Sequence, residues 1–304
     1  MTHAGPGDRA APPAPLPARR VQALFPPLFV VLWSTGFIAA KYGLPYAPPF
    51  TFLLLRFAML AVLMTVVALA TRAAWPASAA QVGHLCVAAL LVHGLYLGGV
   101  FVAISHGMAA GTSAMLVGLQ PLLTVLIARV WMDERVVPRQ WAGLLLGLAG
   151  VYFVVRHKVD FTGDLEGLAP ITVALVAISA GTLYQKRFCS TVDLRSSAAI
   201  QFTACTLVYA PLMFFAGERA VAWTGAFVFA LAWSVLVLSV GAISLLYWLL
   251  RHGAAADVAR LFYLVPPVTA AMAFALFGER LDALALAGMV LIAVGVAMAR
   301  PRAA

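Results

Sequence analysis

The chain has 304 residues, of which 63% are hydrophobic and 10% charged. Soluble domains carry about 25% charged residues, so this chain cannot hide its apolar side chains in a water-soluble core, and its solvent must be lipid. The formal charge of +9 invites a nucleic-acid partner, but the 20 Lys and Arg are scattered between apolar runs with no basic block, which excludes that partner.

Residues 1–23 begin MTHAGPGDRAAPPAPLPARR, rich in Pro and Ala and without periodicity. They read as a disordered cytoplasmic tail. Arg19-Arg20 reads as positive charge holding the next segment's end inside, rather than as a twin-arginine signal. Beyond the tail, a bilayer core needs about 20 apolar residues per helix. Ten spans are expected, at 24–42, 50–70, 82–104, 112–132, 139–156, 167–186, 196–216, 224–249, 258–277 and 283–300. The fold class is therefore all-α integral membrane. With the N-terminus cytoplasmic, inner loops and tails hold 13 Lys and Arg and outer loops hold 5. That positive-inside bias puts both termini in the cytoplasm.

The first span carries Trp33 and Ser34 and ends at Lys41. Span 2 holds Arg56 about two turns in, where it could attract an anionic substrate or snorkel to the nearby interface. In span 3, His93 lies at the centre with Tyr96 one turn on. An imidazole can carry a proton near neutral pH, or sit neutral and hydrogen-bonded. Span 4 contains Gln120, Pro121 and Thr124 and ends in Glu134-Arg135. A mid-span proline frees the carbonyl four residues earlier, here that of Val117, and a freed carbonyl is tolerated only against protein or a water-filled cavity.

Gly143, Gly147 and Gly150 of span 5 have a spacing that lets helices approach closely. Span 6 ends in Tyr184, Gln185 and Lys186; span 7 contributes Gln201 and span 8 Tyr247. Span 9 brings Tyr263, Pro266 and Thr269 before Glu279-Arg280, its proline freeing the carbonyl of Phe262. Gly288 and Gly295 of span 10 match the small-residue face of span 5. Spans 5 and 10 are expected to pack together, or to use those faces in a homodimer. The intramembrane polar residues are candidates for a solute cavity, or glue between helices. Thr124 and Thr269 face that cavity or their own backbone. Lys41, Glu134, Arg135, Lys186, Glu279 and Arg280 are candidate gate or clasp residues at the ends of spans.

Much of this list is written twice. At an offset of 145 residues Ser34, Gly36 and Lys41 fall on Ser179, Gly181 and Lys186, and Phe57 falls on Phe202. Pro121, Thr124, Glu134 and Arg135 fall on Pro266, Thr269, Glu279 and Arg280. His106-Gly107 and His252-Gly253 match with a one-residue slip. Five spans is an odd number, so the halves at 24–158 and 167–300 enter the bilayer with opposite orientation. Inverted halves of this kind exchange conformations in alternating-access transporters, with the substrate near the midplane.

These residues resemble the drug/metabolite transporter superfamily in its ten-span form with two EamA-type halves. The resemblance is carried by Trp33-Ser34-Thr35-Gly36-Phe37 with Lys41, Pro49 with Arg56-Phe57, Pro121-x-x-Thr124 through Glu134-Arg135, and the second copy from Pro266 to Arg280. It covers residues 24 to 300. The commoner first motif has Gly directly after Trp, whereas Gly36 here comes three later, so no subfamily or substrate is assigned. The resemblance implies export or exchange of a small polar metabolite, such as an amino acid or derivative, across a bacterial inner membrane. Its cavity would be lined by spans 1, 3, 4, 6, 8 and 9.

The rival classes find less support. A membrane-embedded enzyme needs clustered Asp, Glu, His or Cys within spans, yet the 11 acidic residues lie in the tail, loops or span ends. There is no H-E-x-x-H and no P-loop. Cys86, Cys189 and Cys205 are isolated, so neither a zinc site nor a disulfide framework is implied. No metal or cofactor is expected. A receptor or scaffold stays open, although two inverted halves favour a moving machine.

Overall fold

The computed structural model describes residues 24–131, 137–156, 165–252, 261–279 and 282–298. The tail expected at 1–23, and the candidates Glu134, Arg135 and Arg280, lie outside the described residues, as does the side chain of Tyr247. Helices account for the architecture, and no strand occurs among the described residues.

Ten rods follow in chain order among those residues: α1 (Phe25–Gly43), α2 (Pro49–Ala70), α3 (Ala79–Ser105), α4 (Ala110–Trp131), α5 (Pro138–Arg156), α6 (Leu165–Phe188), α7 (Leu194–Phe215), α8, α9 (Phe262–Phe277) and α10 (Ala283–Met298). The rod α8 joins Gly225–Ala232, Trp233–Ala242 and Ile243–His252 end to end. Six of these helices, α2, α3, α4, α6, α7 and α8, are long and apolar enough to cross a membrane. α9 and α10 are apolar but shorter. At 1.5 Å per residue, the 16 residues of α10 reach roughly 24 Å against a hydrocarbon core of roughly 30 Å. α1 and α5 have 19 residues each, diluted by Ser34-Thr35-Gly36 and Lys41 in one and by Arg139-Gln140 in the other.

The bundle turns its large side chains both ways. On α2, Phe52, Leu53, Phe57 and Leu60 are buried, whereas Val62, Val66 and Leu69 form an exposed stripe at helical spacing. Phe57 packs between Phe202, with centroids 6.3 Å apart, and Tyr209 at 5.1 Å, which joins α2 to α7. Leu207 and Phe215 of α7 point outward, 70% and 84% exposed. Apolar side chains this exposed suit a hydrocarbon solvent.

Close approach is bought with glycine along the α5–α10 seam. A methyl group on Gly150 would meet the Gly288 carbonyl at 2.6 Å, and one on Gly295 would meet the Gly143 carbonyl at 2.4 Å. The two glycine faces therefore press on each other within a single chain. A homodimer would have to use other faces of these helices.

Two features break the regular helix where the cavity forms. Leu90–Leu95 in α3 and Trp233–Ala242 in α8 are wound as π-helix. π-Segments re-aim side chains and loosen backbone pairing, and they recur at functional sites. One loosened group, the Gly94 carbonyl, accepts a hydrogen bond from the buried Tyr209 hydroxyl at 2.8 Å.

The second feature concerns the two mid-span prolines, which do not interrupt an otherwise unbroken helix. α4 stops at Val117, turns through Gly118-Leu119 and restarts at Gln120. α9 opens with a 3-10 turn at Phe262–Leu264 before regular helix from Val265. Pro121 and Pro266 thus sit in the first turn of a fresh segment, where the missing N–H costs no hydrogen bond. The Phe262 carbonyl, expected to be free, accepts from the Val265 amide.

Candidate functional site

A central cavity of about 670 Å³ lies among α1, α2, α3, α4, α6, α7, α8 and α9, with Val296 of α10 at its edge. Its wall is mainly apolar. Phe262 holds one side through edge-on contacts with Phe29 and Trp33, at centroid distances of 5.2 Å each.

Nine sequence candidates line this space. Trp33 comes from α1, Arg56 from α2, and His93 and Tyr96 from α3. Gln120, Pro121 and Thr124 come from the restarted half of α4, while Tyr263 and Pro266 come from the first turns of α9. The helix restarts thus present Gln120 and Tyr263 to the cavity. Arg56 does not snorkel: it is only 8% exposed, and its Nη2 donates to the Ser239 hydroxyl at 3.1 Å. His93 rests on Phe202, centroids 4.8 Å apart, beside Gln201. The Thr124 hydroxyl is buried without a hydrogen-bond partner.

Four candidates lie elsewhere. Ser34 is fully buried and donates to the Val265 carbonyl at 3.3 Å, tying α1 to α9. Thr269 is equally buried and reaches the Ser34 carbonyl at 3.5 Å, so the two repeat-related threonines differ in role. Tyr184 hydrogen-bonds His84 Nδ1 at 2.7 Å and stacks on Trp131, away from the cavity. Gln185 is half-buried beside it on α6 and is not part of the wall. Conversely, Ser239 and Thr182 line the cavity but carry no mark in the sequence, being single hydroxyls inside apolar runs. Ser239 lies within the π-helical winding of α8, which hydropathy does not register.

At one end of the cavity, α1, α4 and α9 are tied together. The Lys41 ammonium forms an ion pair with Glu279. The same carboxylate accepts from the amides of Ala110, at 3.1 Å, and Gly111, at 3.4 Å, at the start of α4. An anion at a helix N-terminus is favoured by its unpaired N–H groups. Gly278, at φ +67°, makes the left-handed turn that ends α9 and delivers Glu279 to this position. Lys186, which corresponds to Lys41 in the repeat, is exposed.

A multi-helix bundle with a lipid-facing apolar surface and a polar-studded central cavity defines a multi-pass membrane protein built to admit a solute. The chain belongs to the EamA-like transporter family, whose model matches residues 23–156 and 166–300. It is a transporter of the EamA type. An uncharacterized transporter of Bacillus subtilis, YvbV, is 27% identical over 293 residues, covering 93% of this chain and 92% of its own. A protein of Escherichia coli named as a probable amino-acid metabolite efflux pump is 25% identical over 286 residues, covering 88% and 91%. Another, from Streptantibioticus cattleyicolor, named as a probable terminal-alkyne amino-acid exporter, is 28% identical over 205 residues, covering 64% and 65%. A solved crystal structure superposes with a TM-score of 0.62 at 20% identity, covering 92% of this chain and 97% of its own, a likeness of fold alone. The family and these names speak for a transporter rather than an enzyme.

Proposed function

We propose that the chain is a secondary transporter, an exporter or exchanger of a small polar metabolite such as an amino acid or derivative. In this reading ten helices cross a bacterial inner membrane with both termini cytoplasmic. The halves 24–158 and 167–300 are inverted repeats that alternate access to one central cavity. The wall residues Trp33, Arg56, His93, Tyr96, Gln120, Thr124 and Tyr263 are the solute contacts. Lys41 with Glu279 closes the outer end.

One pair of contacts carries this reading. Ser34 on α1 donates to the Val265 carbonyl on α9. Ser179 on α6 gives its proton mainly to the Leu175 carbonyl of its own helix, at 2.7 Å, and lies 3.5 Å from the Gln120 carbonyl on α4. The residues of the second contact are those of the first displaced by 145 residues, which supports the reading of two related halves. The two π-segments, in α3 and α8, support the same register. The relatives named for amino-acid metabolite efflux and amino-acid export support the solute class.

The test is flux in proteoliposomes with a plug variant. Gly36 lines the cavity, and a Cβ added there meets nothing nearer than Leu238, at 3.9 Å. Gly36→Trp should abolish release of preloaded amino-acid derivatives while the protein inserts at normal yield. Undiminished flux through the plugged protein would refute passage through this cavity. A scaffold or receptor would show no flux with either protein.

A further inference from the structure

Resting on that transport reading, we propose that Arg56 anchors a negatively charged group of the solute. The cavity then selects a monoanion with an apolar body over zwitterions and cations.

Among the described residues, those lining the cavity include one guanidinium, that of Arg56, and no Asp, Glu or Lys. A guanidinium withdrawn from water needs compensation by an opposite charge or by hydrogen bonds to all its donors. Arg56 has neither. Its Nη2 is bonded to Ser239, and its Nε is buried with no partner at all. The Ser239 hydroxyl passes its own proton to the Ser234 carbonyl at 3.0 Å, so it meets Arg56 as a neutral acceptor only. Beyond the bond to Ser239, a planar fork of N–H donors with no charge partner matches a carboxylate. The site is thus one partner short of a charge pair, and the missing partner is an anion.

The remainder of the wall fixes the other half of the solute. Trp33, Phe37, Phe101, Phe202 and Phe262 enclose much of the volume with aromatic surface, beside the uncharged polar groups named above. A protonated amine would find no carboxylate here, and it would sit in the repulsive field of Arg56. A free amino acid carries such an amine, whereas an N-acylated one does not.

A charge series on one skeleton, at about pH 6, tests this: N-acetylphenylalanine, phenylalanine and phenylalaninamide, which there carry net charges close to −1, 0 and +1. Equilibrium binding to the purified full chain and flux in proteoliposomes are measured for wild type, Arg56→Lys and Arg56→Gln. Wild type should bind the anion roughly tenfold or more tightly than the cation. Arg56→Gln should erase that preference, and Arg56→Lys should retain part of it through charge without the fork. Size-exclusion behaviour reports folding. If Arg56→Gln misfolds, the wild-type series decides alone. Equal or tighter binding of the amine, or no binding of the anion, overturns the anchor. Anion binding without flux of any probe supports the anchor and overturns transport of this solute class. Flux of the cation alone overturns the anchor and leaves transport standing.

Discussion

Lys41 and Glu279 are 238 residues apart in the chain and form an ion pair, with side chains 31% and 10% exposed. The carboxylate also takes the amides of Ala110 and Gly111, so one side chain joins α1, α9 and the first turn of α4. A part-exposed pair of this kind contributes about 1 kcal/mol after solvent screening, roughly a fivefold change in a two-state equilibrium. Glu279→Gln should weaken closure at this end by that factor. The readout is thiol labelling of Gly36→Cys, in a background lacking Cys86, Cys189 and Cys205, with a membrane-impermeant reagent applied from the Lys41 side. Labelling should accelerate several-fold, and an unchanged rate would show that the pair does not hold the end shut.

Glycine substitutions should separate by position. Gly150→Ala and Gly295→Ala place a methyl against a backbone carbonyl of the facing helix, at 2.6 Å and 2.4 Å. Backbone cannot yield as a side-chain tip can, so each should cost about 1–3 kcal/mol. Gly83→Ala meets nothing within 4 Å on α3 and should be neutral or stabilising by up to about 1 kcal/mol through helix propensity. Thermal unfolding in one detergent compares the three. Equal losses would mean that the α5–α10 seam is loosely packed.

Thr124→Val removes a buried hydroxyl that has no hydrogen-bond partner. The methyl keeps the shape and drops the desolvation cost, so thermal stability should rise by about 1 kcal/mol. Ser34→Ala instead deletes the bond to the Val265 carbonyl and should lower stability by about 1 kcal/mol. A fall for Thr124→Val of the same size as for Ser34→Ala would show that its hydroxyl is satisfied.

Asp193 provides a pH test at the loop before α7. Hydrogen bonds from the Arg195 side chain and backbone amide hold its carboxyl at about 2, against an ordinary 3.8. The folded value is the lower one, so its contribution is complete above the unfolded value and is lost as pH falls from 3.8 toward 2. The NMR titration of the Asp193 carboxyl should show a midpoint near the bottom of that window in wild type, and nearer 3.8 in Arg195→Gln. Coincident midpoints would rule out the pairing.

The helical class was open to reading because hydropathy and helix length are local properties. Gly36, Pro121 and Pro266 mark special points of the backbone that chain chemistry alone makes visible. What the prolines do was not visible. Whether a helix bends around Pro121 or stops at Gly118 depends on what packs there, and a methyl on Gly118 would lie 3.1 Å from the Pro266 ring across the bundle. Likewise, Thr124 and Thr269 occupy equal places in the repeat, yet one borders the cavity and the other is sealed between α1 and α9.

Composition and period alone determine that this chain lives in lipid as a bundle of helices, because 63% apolar residues in long runs have no other stable solvent. They also name most of the polar side chains that matter, since each polar group within an apolar run is costly and so conspicuous. Only the tertiary structure decides which of those groups meet. Arg56 reaches Ser239 across 183 residues of sequence, at a serine that lies within the π-helical winding of α8. Partner choice belongs to packing: lipid asks only that each rod be apolar outside, and leaves the choice of inner neighbours to the fit of one helix against another.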